Sequence, residues 1–356
     1  MAFAEPHLLS RQYPRCATCH MSPTGGGLLT EYGRSLSHVE LSTFSEPLAS
    51  HDESAPPGEA AFLFGAFGRA LGPLQLGIDL RPSRLEFFFP GGFRSSRDLW
   101  MTADFEAGLR VGPWAASGSI GREPIAGEIE SREFWAGWLP EQGLGIRGGR
   151  LLPAYGVKFA DHTSFNRAYL GLAQNDQVLG VEASYTSDRY LVQTTIGPGR
   201  AESIADDDGR QSFTATARVQ ADLGSRVVVV GSGLYRDRSR VNPRQAIVGG
   251  AGGVAPTARV TVWGQADAVF DEGADSPSFV LVNETSVEIV RGLWLKASPQ
   301  AIVGGGGRVS DIVRLGLGTV FLPRTHWNIN VVYYLDRNRT SETTTKILLL
   351  QAHLYL

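Results

Sequence analysis

Cys16-Ala17-Thr18-Cys19-His20 sets two thiols three positions apart, with an imidazole directly after the second. At that spacing the sulfurs can add across the two vinyl groups of one haem, and the adjacent His20 becomes the proximal ligand of the iron. Two rival chemistries fit worse. Thiol–disulfide exchange wants its C-x-x-C between a strand and a helix, whereas Pro14-Arg15 precede this one and Ser22-Pro23-Thr24-Gly25-Gly26-Gly27 follow it. A structural zinc site needs four ligands, and Cys16 and Cys19 are the only cysteines in the chain.

Residues 11 to about 40 resemble c-type cytochromes. The resemblance implies one covalent haem c, held by Cys16 and Cys19 with His20 on the iron, and attachment outside the bacterial cytoplasm. Ala2-Phe3-Ala4 has the A-x-A form that precedes signal cleavage, so the mature chain is expected to begin near Glu5. Only Leu28 to Leu36 reads as helical, with Thr24 or Ser22 as its cap and Glu31 favouring its first turn. A Pro/Ser/Glu-rich stretch from Ser45-Glu46-Pro47 to Ala55-Pro56-Pro57-Gly58 follows. The expected units are therefore a haem-binding segment, 1–52, lying in the periplasm or plugging a lumen, and a second unit, 53–356. An ordinary small cytochrome c wraps its haem in several helices. So short a segment cannot, and must borrow walls from the rest of the chain or from a partner. For the sixth iron position, Met1 precedes the expected mature start, Met21 adjoins the proximal His20, and Met101 falls on an apolar run. Methionine is thus disfavoured, and His7, His38 and His162 are the candidates.

The elements that must supply those walls read as sheet. Charged residues make up 19% of the chain against a usual ~25%, and glycine stands at 43 of 356. A net charge of −3 argues against a nucleic-acid binder, and ordinary apolar content (42%) argues against disorder. No stretch approaches the ~20 apolar residues of a spanning helix, but a closed barrel also satisfies every backbone group in lipid. From about Ala60 onward, runs alternate with period two, which gives one apolar and one polar face. Leu99, Met101, Ala103, Phe105, Ala107 and Leu109 form one such face; Thr325, Trp327, Ile329, Val331, Tyr333 and Leu335 form another. The runs exceed the usual 5–6-residue strand and suit tilted membrane strands of about 9–11 residues.

Tight turns such as Leu223-Gly224-Ser225 and Leu322-Pro323-Arg324 alternate with long polar connections: Arg200 to Arg210, Arg236 to Arg244, Asp271 to Ser276 and Asp336 to Thr343. Short turns at one end and long loops at the other mark outer-membrane barrels, as do aromatics near strand ends; Trp100, Trp114, Trp135, Trp138, Tyr185, Tyr190, Trp294 and Trp327 are placed that way. The chain stops inside a run, with Leu348, Leu350, Ala352, Leu354 and Leu356 on one face, which resembles the terminal signal of outer-membrane proteins. The fold class expected is all-β: an antiparallel transmembrane β-barrel of about 16 strands with a short, irregular or helical N-terminal segment. A soluble β-sandwich or solenoid is the alternative.

Gly148 to Arg167 breaks the alternation and mixes Arg, Lys, Asp, His and aromatics. Long ordered loops are often functional. An inward fold of this one would bring His162 to the iron and Arg150, Lys158 and Arg167 to the haem propionates, since Arg and Lys favour carboxylates; an extracellular surface loop is the alternative. As a whole the chain resembles a porin fused to a cytochrome. That resemblance implies electron transfer at the outer membrane with periplasmic or extracellular cytochromes as partners, the outer-membrane lipid around the barrel, and no enzyme activity. A porin-like channel with a haem-bearing plug is the alternative, with Arg110, Arg218, Arg259 and Arg314 among Asp104, Glu106, Asp222 and Asp267 setting permeation. A haem peroxidase is a third reading, for which no distal motif stands out.

Overall fold

The computed structural model describes residues 6–44, 73–122, 127–161, 163–173, 176–198, 212–237, 244–305 and 311–356. The expected boundary at 52/53 and His162 lie outside them. The first strands are β1 (Leu74–Phe88), β2 (Arg94–Val111), β3 (Trp114–Arg122), β4 (Ile129–Glu130), β5 (Phe134–Trp138), β6 (Gly143–Leu151), β7 (Val178–Thr186) and β8 (Tyr190–Gly197). They continue as β9 (Phe213–Gly224), β10 (Val227–Asp237), β11 (Gln245–Thr257), β12 (Val260–Asp271), β13 (Ser278–Val290), β14 (Leu293–Gly304), β15 (Ile312–Phe321), β16 (Trp327–Asn338) and β17 (Thr343–Tyr355).

All pair antiparallel in one sheet. β4 and β5 both pair with β3, at Gly121-Arg122 and at Trp114–Gly118, so they are two pieces of one interrupted strand. The result is a closed barrel of 16 strands. Closure comes from the C-terminal run itself: β17 pairs with β1, Leu350 opposite Arg84 and Tyr355 opposite Asp79, so no hydrophobic edge is left bare.

The alternation sorts the two faces. On β13, Val280, Val282, Glu284, Ser286 and Glu288 are buried inside, while Phe279, Leu281 and Ile289 are exposed outside. On β16, Trp327, Ile329, Val331, Tyr333 and Leu335 all face out. Short connections of two residues join β2 to β3, β9 to β10, β11 to β12 and β13 to β14, all at one end, and the longer loops lie at the other. Arg259 sits in one of these turns, exposed, rather than on the lumen wall where alternation put it.

Three local expectations need correcting. Met101 does not share a face with Ala103 and Phe105. A bulge sets Met101-Thr102 opposite Arg81 alone, and the extra residue turns Met101 inward, where Gln351 Nε2 donates to its Sδ at 3.0 Å. Trp135 and Trp294 are not at an interface; both are buried, at 3% and 0% exposure. The helix begins at Glu31 rather than Leu28: α1 (Glu31–Leu36) is capped by Thr30, whose hydroxyl accepts from Gly33 N at 3.1 Å, not by Ser22 or Thr24. Gly25, Gly26 and Gly27 all take positive φ, and that turn brings Leu29 back beside His20 as a β-bridge, so neither Leu28 nor Leu29 is helical.

Two segments fill the lumen. Residues 6–44 cross it, and the loop between β6 and β7 folds inward. Leu9, Tyr155, Phe159, Phe165 and Leu170 form one buried cluster with inward strand residues such as Val228, Ile247 and Val280. Replacing the outward Val331, midway along β16, by Arg is expected to destabilise the barrel in lipid by about 2–4 kcal/mol. The lumen-facing Ser286→Ala should cost far less in the same urea titration of the bilayer-inserted chain.

Candidate functional site

Polar ties across the lumen fix the N-terminal segment. Arg15 Nε donates to Asp222 Oδ2 at 2.6 Å, and its Nη1 to the Ser187 carbonyl at 2.6 Å. Arg11 pairs with Glu288 at 2.6 Å. Thr261 Oγ1 donates to the His7 carbonyl at 3.0 Å, and Thr43 N to the Leu322 carbonyl at 2.9 Å. The C-x-x-C-H run forms a tight turn, with Cys19 N and His20 N both donating to the Cys16 carbonyl. α1 packs directly against it: a Cβ on Gly33 would stand 2.5 Å from the Cys19 carbonyl oxygen. Next to the motif, Met21 and Leu28 enter a notch that Gly77 and Gly108 leave open on the barrel wall.

This arrangement puts Cys16, Cys19 and His20 on the wall of one lumen cavity enclosing ≈ 1740 Å³ of non-atom space, part of it open to solvent. Both cysteines are free and half-buried. His20 is 4% exposed, lies against the Gly27 carbonyl, and its Nδ1 makes no hydrogen bond. Burial, with Lys158 next in effect, pushes its pKa down to about 3, so the ring is neutral at ordinary pH. Burial raises the Cys19 thiol to about 12. The opposite walls carry apolar Trp263, Val320, Leu322 and Leu349 and cationic Arg81, Arg218 and Lys296.

Lys158 reaches the motif from the inward loop: its Nζ donates to the Gly25 carbonyl at 2.6 Å, and it lines the cavity. Arg167 is close by but lines an adjoining hollow, its Nη1 bound to the Phe159 carbonyl at 2.9 Å. Arg150 is not part of the site. Gly148 to Leu151 is the end of β6, and Arg150 lies 3.8 Å from Glu130. Gly149 is there because the backbones close in: a Cβ on it would collide with the Phe134 carbonyl oxygen.

Among the histidines proposed for the sixth position, His7 lines the cavity and stacks on Trp294 with centroids 4.4 Å apart. His38 does not line it, and its Nδ1 is bonded to Thr325 Oγ1 at 2.7 Å. His353 does face the cavity, with Nε2 3.3 Å from Asp79 Oδ1 and its ring 4.9 Å from Tyr355. Its position among Gln351 and Tyr355 on the polar face of the last run was the sequence signal for it. Arg81 lies inward with Gly77, Asp79 and Ser83 by the alternation of β1, and pairing of β1 with β17 brings it to the cavity. Neither Met21 nor Met101 lines the cavity.

No known family profile matches the chain, and no curated protein matches it. Solved structures do match its fold. An anion-selective porin from Comamonas acidovorans aligns with a TM-score of 0.64 at 9% identity, covering 80% of this chain and 99% of that one. OprB of Pseudomonas putida aligns with a TM-score of 0.60 at 6% identity, covering 80% and 94%. The outer membrane channel DcaP of Acinetobacter baumannii aligns with a TM-score of 0.58 at 11% identity, covering 80% and 97%. The chain has a porin-like barrel fold.

Gly33→Ala is expected to push α1 off the Cys19 backbone and loosen the motif, at a cost of about 1–3 kcal/mol by overpacking. Faster tryptic cleavage after Arg15 in the folded barrel would show this; an unchanged rate would mean the helix does not hold the turn.

Proposed function

We propose that the chain is an electron carrier of a bacterial outer membrane: a porin-type barrel holding one covalent haem c inside its lumen, and not an enzyme. The observation that carries this reading is the convergence of Cys16, Cys19 and His20 on one wall of a single large cavity. The residues present fit the group. Both thiols are free and line the same space, and the adjacent imidazole is neutral and buried with Nδ1 unbonded.

When bound, haem c supplies one-electron exchange at its iron. The chain's own residues do the rest. Cys16 and Cys19 tether it, and the turn closed by the Cys16 carbonyl fixes His20 beside them. Trp263, Val320, Leu322 and Leu349 give the cavity an apolar wall that would limit water at the iron, which favours electron exchange over ligand chemistry. Arg81 and Lys158 lie within electrostatic reach of His20 and can balance propionate charge. His7 and His353 are the cavity-facing groups suited to the sixth position. One haem does not bridge a ~30 Å hydrocarbon core, so periplasmic or extracellular cytochromes complete the path, and lipid surrounds the apolar outer face.

Expression with a c-haem maturation system should give a covalently bound haem with a pyridine haemochrome spectrum and low-spin bands of bis-histidine type. Cys16→Ala with Cys19→Ala should abolish haem staining after denaturing electrophoresis. A high-spin ferric spectrum would count against electron transfer and for a peroxidase-type site.

The likeness to structures described as a channel and an anion-selective porin favours a second reading, a porin-like channel with the haem segment as its plug. Liposome conductance separates the two. If the whole chain conducts and loss of residues 1–44 only widens the pore, the channel reading holds. If the whole chain is closed, the carrier reading stands.

A further inference from the structure

The short connections between β9 and β16 share one feature. Ser225-Arg226 joins β9 to β10, Ala258-Arg259 joins β11 to β12, Arg291-Gly292 joins β13 to β14, and Leu322-Pro323-Arg324-Thr325-His326 joins β15 to β16. Each carries an arginine and none carries Asp or Glu. All four lie at the short-turn end, which in an outer-membrane barrel is the periplasmic one. Arg259 and Arg324 are exposed, and Arg226 and Arg291 are half-buried. Among the described residues, no ion pair or side-chain hydrogen bond engages the guanidinium of Arg226, Arg259 or Arg324. The acids at this end are taken or lie apart: Asp222 holds Arg15, Glu288 holds Arg11, and Glu141 and Asp188 belong to the β5–β6 and β7–β8 connections. In the N-terminal segment Glu31 is exposed, and Glu40 accepts from Tyr13 Oη at 3.4 Å.

The same end presents the C-x-x-C-H turn. Arg15 Nη1 and Nη2 donate to the Ser187 and Asp188 carbonyls of the β7–β8 connection at 2.6 and 2.9 Å, and Ala17 and Thr18, between the two thiols, are exposed. The arginine turns touch this segment in turn. Glu288, whose N donates to the Arg259 carbonyl, pairs with Arg11. Arg291 Nη2 donates to the Thr43 carbonyl at 3.3 Å. Thr43 N and Phe44 N donate to the Leu322 and Pro323 carbonyls, beside Arg324, each at 2.9 Å. The positive arc therefore frames the mouth in which the motif sits, which suits a protein docking over the mouth better than a lipid headgroup at the outer belt. At the long-loop end the inward loop walls the cavity through Val157, Lys158 and Asp161, and Arg314 Nη1 holds it by the Thr163 carbonyl at 2.8 Å.

We propose that the arc of Arg226, Arg259, Arg291 and Arg324 is the docking surface for the periplasmic electron carrier, a small soluble protein whose redox centre lies beneath an acidic face. The proposal rests on the electron-carrier reading for what the partner carries, and on the rim alone for how the partner is recognised. Complementary charge orients such a partner and raises its association rate in a salt-dependent way. Docking over the mouth brings the partner's centre to the side of the barrel where the C-x-x-C-H turn is exposed. One electron then passes between the tethered iron and that centre, one oxidised as the other is reduced, with no bond made or broken.

The probe is mitochondrial cytochrome c in two forms, native and basic, or acidic after succinylation of its lysines. Each is titrated against the full chain in uncharged-detergent micelles at low salt, without haem and with it. The acidic form should bind at least ten-fold tighter than the native form, and less tightly as salt is raised. Arg226→Gln, Arg259→Gln and Arg324→Gln together should weaken that binding at least ten-fold, and lysine at the same three positions should restore most of it; heat-modifiable gel migration verifies that each barrel is closed. In the haem-loaded chain, stopped-flow electron exchange with the acidic form should slow in parallel in the triple glutamine variant. Equal binding of the two forms, unchanged affinity in the folded glutamine variant, or exchange that ignores the three substitutions overturns the proposal. So does a glutamine variant that keeps the probe but loses binding to phosphatidylglycerol nanodiscs, which would make the arc a lipid contact. Failure of haem attachment would count against the electron-carrier reading, and the haem-free titration would still decide the surface.

Discussion

A β-sheet leaves a row of unpaired N–H and C=O groups at each edge, and in lipid nothing but another strand can satisfy them. Pairing of β17 with β1 removes both edges at once, and the rest of the molecule follows from that closure. It fixes which side chains point in and which point out. It makes a lumen, and it obliges that lumen to be filled with protein, water or a ligand. The chain fills much of it with its own N-terminal segment and with the loop after β6, and the space left over includes the cavity at the C-x-x-C-H turn.

The interior is held by charge as much as by packing. Arg81 makes a two-point contact with Asp79 at 2.8 Å, Arg147 pairs with Glu182 at 2.9 Å, and Arg132 with Asp104 at 2.7 Å, all nearly inaccessible to solvent. Burying such ions is costly unless each is met by a partner of matching geometry. Arginine and carboxylate paired within β1, between β6 and β7, and between the β4–β5 link and β2 satisfy one another, and they leave a polar wall against which a plug can dock through directed contacts. Arg11 with Glu288 and Arg15 with Asp222 do that docking. The N-terminal segment therefore owes its position to the barrel wall, consistent with how little helix it has of its own.

The site and the fold depend on each other in one further respect. A short C-x-x-C-H segment cannot enclose a porphyrin, and a 16-strand barrel cannot pack its own centre with side chains. Each supplies what the other lacks. Glycines at the meeting points make the fit: Gly33 lets α1 touch the Cys19 backbone, and Gly77 and Gly108 make room for Leu28 and Met21.

Local and period-two features were legible in the sequence by itself. The thiol spacing with its adjacent imidazole, the strand runs and the short-turn and long-loop rhythm all follow from spacing and alternation, whereas the inward or outward course of the 152–167 loop does not. What alternation could not give were the places where backbones approach one another. The bulge opposite Arg81 turned Met101 inward, and the end of β6, where Gly149 lies tight against β5, read as a loop because alternation breaks there, which misplaced Arg150. Only the tertiary structure decided which residues share the cavity, because Arg81, Arg218, Lys296 and His353 come from strands far apart in sequence. Their meeting is a property of ring closure and register, and no local run of residues encodes either.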